Sequence, residues 1–470
     1  MEFIPMTFDP ADPRPLYQQL YSWLAGEITA GHLAAGEKLP SKRSAAANLG
    51  VSLNTVETAL GMLIAEGYLT SRPRSGVYVA DVSPLIPAPR PAAPLPAAEQ
   101  DERWSYRFST SGVDVSLFPQ KIWARIAREV NADAPALLNH GPAEGEAALR
   151  GAIADYLLGL RGVRCDPDQI LVGAGMEYLL GLLAPLLGGR VAFERPGYPK
   201  ARRILENGGV TLVDLPVDRA GLRVDLLAES GATAVYVTPS HQFPTGATMP
   251  VGRRLDLLRW AAADPVRLIV EDDYDSEFRF DGKPVPSLQG LDPHGQVIYV
   301  GTFSRSIAPG IRIGYLVLPR ALLGRWRQRF AGYSCTVSRL EQQTMARFLA
   351  GGHFTRSLNR ARGQYRRRRD ALVGALRSSF GKDLTLLGAH TGLHLVALPG
   401  VGLTERELVE RAAAISVELR GLSYYGAPPD GLPGPGVVLG YGTLDEGQIA
   451  DAVALLAKAW KNQGAEAGKM

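Results

Sequence analysis

Apolar residues recur at helical spacing between Leu16 and Ile28, at positions 16, 17, 20, 23, 24 and 28, and Gly31 follows, which predicts a first helix. Ser41 is placed to cap a second helix running through Leu49 and stopped by Gly50. Ser52 is placed to cap a third, running through Ile64 and stopped by Gly67. A short turn joining two helices in this way reads as helix-turn-helix. Tyr68–Thr70 and Val77–Ala80 then read as two short strands joined by Arg72-Pro-Arg-Ser-Gly76, whose proline and glycine suit a turn, so a hairpin wing follows.

From about residue 104 the pattern changes. Short β-branched runs (Ile170–Val172, Val191–Phe193, Ala234–Thr238, Leu268–Val270, Val297–Val300) alternate with amphipathic helical stretches, the rhythm of an α/β domain with a largely parallel sheet. Between the two regions, Ser83 to Ala98 holds six prolines and almost no charge. Fixed φ angles and missing N–H groups disfavour helix and sheet there, which predicts a semi-rigid linker. The expected organisation is a DNA-binding unit over 1–81, a Pro/Ala-rich linker over 82–103 and an α/β domain over 104–470.

Composition narrows the class. With 470 residues, 46% hydrophobic and 21% charged, the chain is of globular type and long enough for a large core. Its longest apolar stretch, Tyr178 to Gly189, is twelve residues with Pro185 inside it, against about 20 needed to cross a bilayer. The first fifteen residues carry Glu2, Asp9, Asp12 and four prolines, unlike a secretory signal. Only Cys165 and Cys335 are present, so no four-cysteine zinc site can form and a reducing, cytoplasmic setting is expected. No metal site is expected.

Residues 1–80 carry six Lys/Arg against seven Asp/Glu, so DNA binding there must rest on local placement of charge. In a winged helix-turn-helix, the second helix of the pair enters the major groove with its N-terminal residues facing base edges, which places Asn54 and Thr55 there. Lys42 and Arg43, with Arg72 and Arg74 in the hairpin, would offset phosphate charge. The DNA-facing set is therefore Ser41, Lys42, Arg43, Ser52, Asn54, Thr55, Arg72, Arg74, Ser75 and Gly76. The segment LPSKRSAAANLGVSLNTVETALGMLIAEGYLTSRPRSGVYV resembles the winged helix-turn-helix of GntR-type bacterial repressors over its whole length. Leu53 and Glu57 stand where that family often has base-reading arginines, so the operator sequence does not carry over. The arginine run 360–369 reads as a helix with one basic face.

In the large domain, several polar segments follow predicted strands and so gather at their carboxyl ends, the edge where open α/β sheets bind ligands. They are Glu271-Asp-Asp-Tyr-Asp-Ser-Glu277, Thr238-Pro-Ser-His-Gln-Phe-Pro-Thr-Gly246 and Gly301-Thr-Phe-Ser304. Ala174-Gly175-Met176 opens a helix, where free N–H groups favour a phosphate. With Ser116-Leu-Phe-Pro119, Arg195-Pro-Gly-Tyr198 and FSRSIAPGIRIGY, these stretches resemble the fold-type-I aminotransferases, which are PLP-dependent transferases, and the whole chain resembles MocR-type regulators. The resemblance implies pyridoxal 5′-phosphate contacts: Asp272 to the pyridine nitrogen, Tyr274 with His241 and Gln242 near the ring oxygen, and Tyr198 on the ring face. Thr302, Arg312 and the Gly175–Met176 helix start would hold the phosphate.

The same resemblance places the Schiff-base lysine at 305, where this chain has Arg305. A guanidinium with a pKa above about 12 stays protonated and cannot attack an aldehyde. The cofactor is then expected to be non-covalent at best, or lost, with Arg305 itself able to pair with an anion, and normal transamination is not expected. Lys200 and Lys283 are the nearest lysines before it in sequence, and neither lies in a motif that puts an amine at this spot. Glu177 would oppose a phosphate dianion, and Arg420 is the arginine closest to the Leu422-Ser-Tyr-Tyr425 stretch where relatives often bind a substrate carboxylate. The expected protein is a regulator that binds a double-stranded operator as a homodimer and answers a small-molecule effector. An aminotransferase with a DNA-binding appendage and a cofactor-free sensor or dimerisation scaffold are the alternatives.

Overall fold

Helices α1 (Leu16–Thr29), α2 (Lys42–Leu49) and α3 (Leu53–Ala65), with the antiparallel hairpin β1 (Leu69–Arg72) and β2 (Gly76–Val79), make up the N-terminal unit. The computed structural model describes residues 5–82, 103–132, 135–282 and 285–461. The proline-rich segment and Lys283 fall outside these. The chain divides into two units, one within residues 1–100 and the other within 101–470.

The predicted caps form. Ser41 Oγ accepts from Ser44 N and Ser52 Oγ from Thr55 N, both at 3.1 Å, satisfying N–H groups that a helix start leaves open. Gly50 ends α2 at φ +67°, a left-handed conformation open to glycine without strain. Leu20, Leu24, Val56, Leu60, Leu63, Leu69 and Val79 close one core beneath the three helices and the wing.

The larger unit is built on eight strands. These are β3 (Ile170–Gly173), β4 (Arg190–Arg195), β5 (Thr211–Asp218), β6 (Gly221–Leu222), β7 (Ala234–Val237), β8 (Leu268–Asp273), β9 (Val297–Thr302) and β10 (Gly314–Val317). Their order is β3-β10-β9-β8-β7-β4-β5-β6. The β9–β8, β8–β7, β7–β4 and β4–β5 pairs are parallel, and the edge pairs are antiparallel. Each of the five predicted strand runs falls in this sheet, except that Thr238 lies just past the end of β7. Central strands covered on both faces are largely apolar, and on β8 the carboxylates Glu271, Asp272 and Asp273 come only at the carboxyl end. Along β3 and β10, Ile170, Val172, Tyr315 and Val317 join one core while Leu171 and Leu316 join the other. A smaller four-stranded sheet lies further along the chain: β11 (Thr385–Leu387), β12 (His394–Leu398), β13 (Arg420–Gly421) and β14 (Val437–Gly440), in the order β11-β12-β14-β13.

Two further helices start at the site: α4 (Met176–Leu187), which follows β3, and α5 (Pro199–Asn207), which follows β4. The arginine run lies on α6 (His353–Phe380), and it is not a single solvated face. Arg368 is buried between the Asp114 carboxylate and the Gly442 carbonyl, and Arg369 pairs with Asp281 at 2.5 Å. Arg362 donates to the Glu277 carbonyl and Arg366 to the Phe280 carbonyl. Four of the arginines therefore hold the helix to its own domain. Among the described residues, no helix is long and apolar enough to cross a membrane.

Candidate functional site

A cavity of about 190 Å³ opens at the carboxyl ends of the central strands. Met176, Tyr198, Asp272, Tyr274, Thr302, Arg305 and Arg312 line it, together with Ser111, Glu177, Lys200, Phe243 and Ser304. Side chains alternate along β8, and this separates the acidic run by role. Glu271 accepts from the amides of Leu288 and Gln289, and Asp273 binds Arg161 and the Tyr299 hydroxyl, all away from the cavity. Asp272 points into it.

The Asp272 carboxyl is almost wholly buried. One oxygen, Oδ2, accepts from the Tyr236 hydroxyl; the other, Oδ1, has no partner. Burial is the main cause that raises its pKa to about 7. An orphaned buried acceptor at a cavity wall fits a protonated ring nitrogen, which would supply the missing hydrogen bond and a compensating charge.

Tyr198 precedes α5 and its ring meets Phe243 edge-on at 5.4 Å; burial lifts its hydroxyl to about 12, so it faces the cavity as a neutral phenol. The Tyr274 hydroxyl donates to the His241 carbonyl at 2.9 Å. Thr302 ends β9 and donates to Ser304 Oγ at 3.0 Å. Gly175 caps α4 at φ +88°, and a Cβ there would lie 2.4 Å from Arg312 Nη2. Only glycine lets that guanidinium lie against the helix start.

Two expected ring contacts are not brought to the cavity. His241 is buried behind Tyr274, its Nδ1 3.0 Å from Asp275 and its ring 4.4 Å from that of His394. Gln242 is consumed within its own loop, donating to the carbonyls of Pro196 and Phe243 and accepting from Thr245. Phe243 takes the lining position instead. Arg420 is likewise turned away: it pairs with Glu418 at 3.3 Å and stacks on Tyr424.

Three residues behave differently from their sequence reading. Glu177 was expected only to repel an anion, yet its carboxylate binds Arg312 Nη2 at 2.7 Å, at the start of α4. That contact and its own amide hold its pKa down against burial. Lys200, two residues beyond Tyr198, does reach this cavity, and its charge also lowers the Glu177 pKa. Arg305 enters the cavity with its guanidinium donating to the carbonyls of Thr110 and Gly112. Its charge stabilises ionised Asp272, Tyr198 and Tyr274.

In the N-terminal unit, Ser41, Lys42, Arg43, Ser52, Asn54, Arg72, Arg74, Ser75 and Gly76 are exposed and Thr55 is partly so. Arg74 holds a left-handed turn at φ +59°, Ser75 Oγ lies 2.6 Å from the Tyr78 hydroxyl, and Arg72 stacks on the Tyr78 ring. Lys42 is not free: its Nζ lies 3.1 Å from Glu57 on α3.

A winged helix-turn-helix on one chain with an aminotransferase-type domain defines the class of transcriptional regulators that carry an aminotransferase-like module. Comparison with known proteins agrees. Residues 16–79 match the bacterial regulatory proteins of the gntR family, and residues 113–417 match aminotransferase class I and II. The chain is 38% identical to the uncharacterized HTH-type transcriptional regulator YdeL of Bacillus subtilis, over 95% of this chain and 97% of that one. It is 35% identical to the probable rhizopine catabolism regulatory protein MocR of Rhizobium meliloti, over 95% and 94%. Among solved structures it is similar to LysN, the α-aminoadipate aminotransferase of Thermus thermophilus, complexed with N-(5′-phosphopyridoxyl)-L-leucine. The TM-score is 0.66 at 27% identity, covering 77% of this chain and 92% of that one. The chain belongs to the MocR-type, GntR-family transcriptional regulators.

Proposed function

We propose that the aminotransferase-like domain binds pyridoxal 5′-phosphate, or a closely related phosphorylated pyridine, without a covalent bond, and that occupancy changes operator affinity. The observation that carries this reading is the unpartnered Asp272 oxygen in a cavity that also holds Arg305, Arg312 and Lys200. Asp272 would hold the ring nitrogen, Tyr198 the ring face and Tyr274 the ring hydroxyl. Thr302, Ser304, Arg312 and the Gly175–Met176 helix start would hold the phosphate. When bound, the ring supplies an electron-withdrawing pyridinium; with arginine at 305, the protein has no amine there to attach it or to carry a proton from substrate. Binding is then reversible, which suits a sensor.

On DNA, α3 would present Asn54 and Thr55 to base edges, with Ser41, Lys42, Arg43, Ser52 and the wing residues Arg72, Arg74, Ser75 and Gly76 on the backbone. Two copies of the chain would engage paired half-sites as a homodimer. A ligand alters transcription only by binding two states of the protein unequally.

Calorimetry of the full chain with pyridoxal 5′-phosphate, followed by borohydride and mass measurement, tests the sensor reading: heat of binding with no retained adduct is expected. A trapped adduct at any residue would overturn it in favour of an enzyme-like site. The Glu177–Arg312 ion pair favours one second reading, a cofactor-free sensor or scaffold in which an internal carboxylate takes the anion's seat. Absence of any binding heat would select it.

A further inference from the structure

Arg305 is a cation with no ion-pair partner among the described residues. Its guanidinium is held by two neutral carbonyls, those of Thr110 and Gly112, and no carboxylate lies within ion-pair distance among the described residues. Two carbonyls leave several of its five N–H donors for other partners. It lines the same cavity as Asp272, whose Oδ1 has no partner, and Arg312, which with the start of α4 would take the phosphate. A guanidinium with unused donors at a cavity wall suits a ligand that brings an acceptor oxygen.

We propose that Arg305 is a specificity residue. It makes the domain a receptor for phosphorylated pyridines that carry an oxygen at the ring 4-position, as a formyl or carboxylate group, and it rejects the aminomethyl form. This rests on the reading that the cavity takes a pyridoxal-type ring. If the nitrogen sits at Asp272 and the phosphate at Arg312, the ring would turn its 4-substituent toward residue 305, the position at which the resemblance puts the Schiff-base lysine. A lysine there reacts with an aldehyde; a guanidinium instead donates to its oxygen and stays protonated. An ammonium in the same place would meet a like charge, and a carboxylate would meet a planar fork of donors. The site would therefore distinguish the aldehyde and its oxidised acid from the amine, and would report their concentration without consuming them.

The test is titration calorimetry of the full chain with pyridoxal 5′-phosphate, 4-pyridoxic acid 5′-phosphate, pyridoxine 5′-phosphate as the neutral reference, and pyridoxamine 5′-phosphate. The acid is expected to bind about tenfold tighter than the reference and the amine about tenfold weaker, with the aldehyde on the tight side. In R305Q these differences should shrink to within about threefold; because each is a ratio within one protein, a general loss of stability does not mimic it. R305K keeps a cation and is expected to keep the acid above the amine while gaining a borohydride-trappable bond to the aldehyde. Native protein that binds the amine as tightly as the acid overturns the inference, as does a preserved ranking in R305Q. If none of the compounds binds, the pyridoxal-type reading of the cavity fails first, and the inference with it.

Discussion

Asp272 shows how a buried, half-satisfied carboxyl costs stability in the ligand-free protein. Its folded pKa, about 7, is raised above the unfolded value near 3.8, chiefly by burial. A carboxyl shifted in this direction favours the fold below the unfolded pKa, and the benefit is lost as pH rises through about 7. Asp272→Asn removes the ionisation and keeps an acceptor for Tyr236. Its expected effect is to stabilise the ligand-free protein at pH 8 by on the order of 2 kcal/mol, with little gain near pH 4. The same variant should weaken pyridoxal 5′-phosphate binding more than about tenfold. Thermal melts at the two pH values and calorimetry check both; a variant equally stable and equally competent would mean the free oxygen faces no ligand.

Glu177 belongs to the same scale. It occupies Arg312 through a half-exposed ion pair, a contact worth about 0–1 kcal/mol. Glu177→Gln is therefore expected to raise affinity for the phosphorylated ligand by roughly threefold, an effect that fades in high salt. Calorimetry at two ionic strengths would detect it, and a weakened affinity would show instead that Glu177 serves the ligand.

At the scale of the element, α2 and α3 are locked by local rules. Ser41 and Ser52 cap them, Gly50 turns the chain, and Val56, Ala59, Leu60 and Leu63 bury one face. This was legible because helix caps and 3.6-residue periodicity are short-range signals. The pairing of Lys42 with Glu57 was not, since it joins different helices fifteen residues apart. Glu57→Gln is expected to free Lys42 for a DNA phosphate and to steepen the log–log salt dependence of binding by about one unit. Fluorescence anisotropy with a random-sequence duplex across a salt series measures the slope; an unchanged slope would place Lys42 away from the backbone. Strand β8 makes the parallel point in the sheet. Its position was visible in Leu268–Val270, but only the pleat decides that Asp272 serves the cavity while Glu271 and Asp273 brace the fold.

For the whole molecule, the two units have separate cores, one closed by Leu24, Leu60 and Leu63 and others built on the large sheet. Heat unfolding is expected to show two transitions, and pyridoxal 5′-phosphate should raise only the one belonging to the larger unit. Scanning calorimetry with and without ligand tests this, and a single transition shifting as a block would show that the units melt together. Buried Glu194 and Glu277 are also raised to about 7 by burial, so the larger unit's stability should decline between about pH 5 and 8.

Reading residues in order was enough to find the winged helix-turn-helix, the parallel strands, the polar segments at their carboxyl ends and the arginine at 305. Each is a local pattern or a single identity, fixed by caps, turns and the two side-chain periods. Convergence is another matter. That Lys200 reaches the cavity, that Glu177 holds Arg312, and that His241 and Gln242 turn into their own network depend on which distant backbones the sheet brings side by side. No pattern along the chain encodes those distances, because packing sets them only once both faces of the sheet are covered.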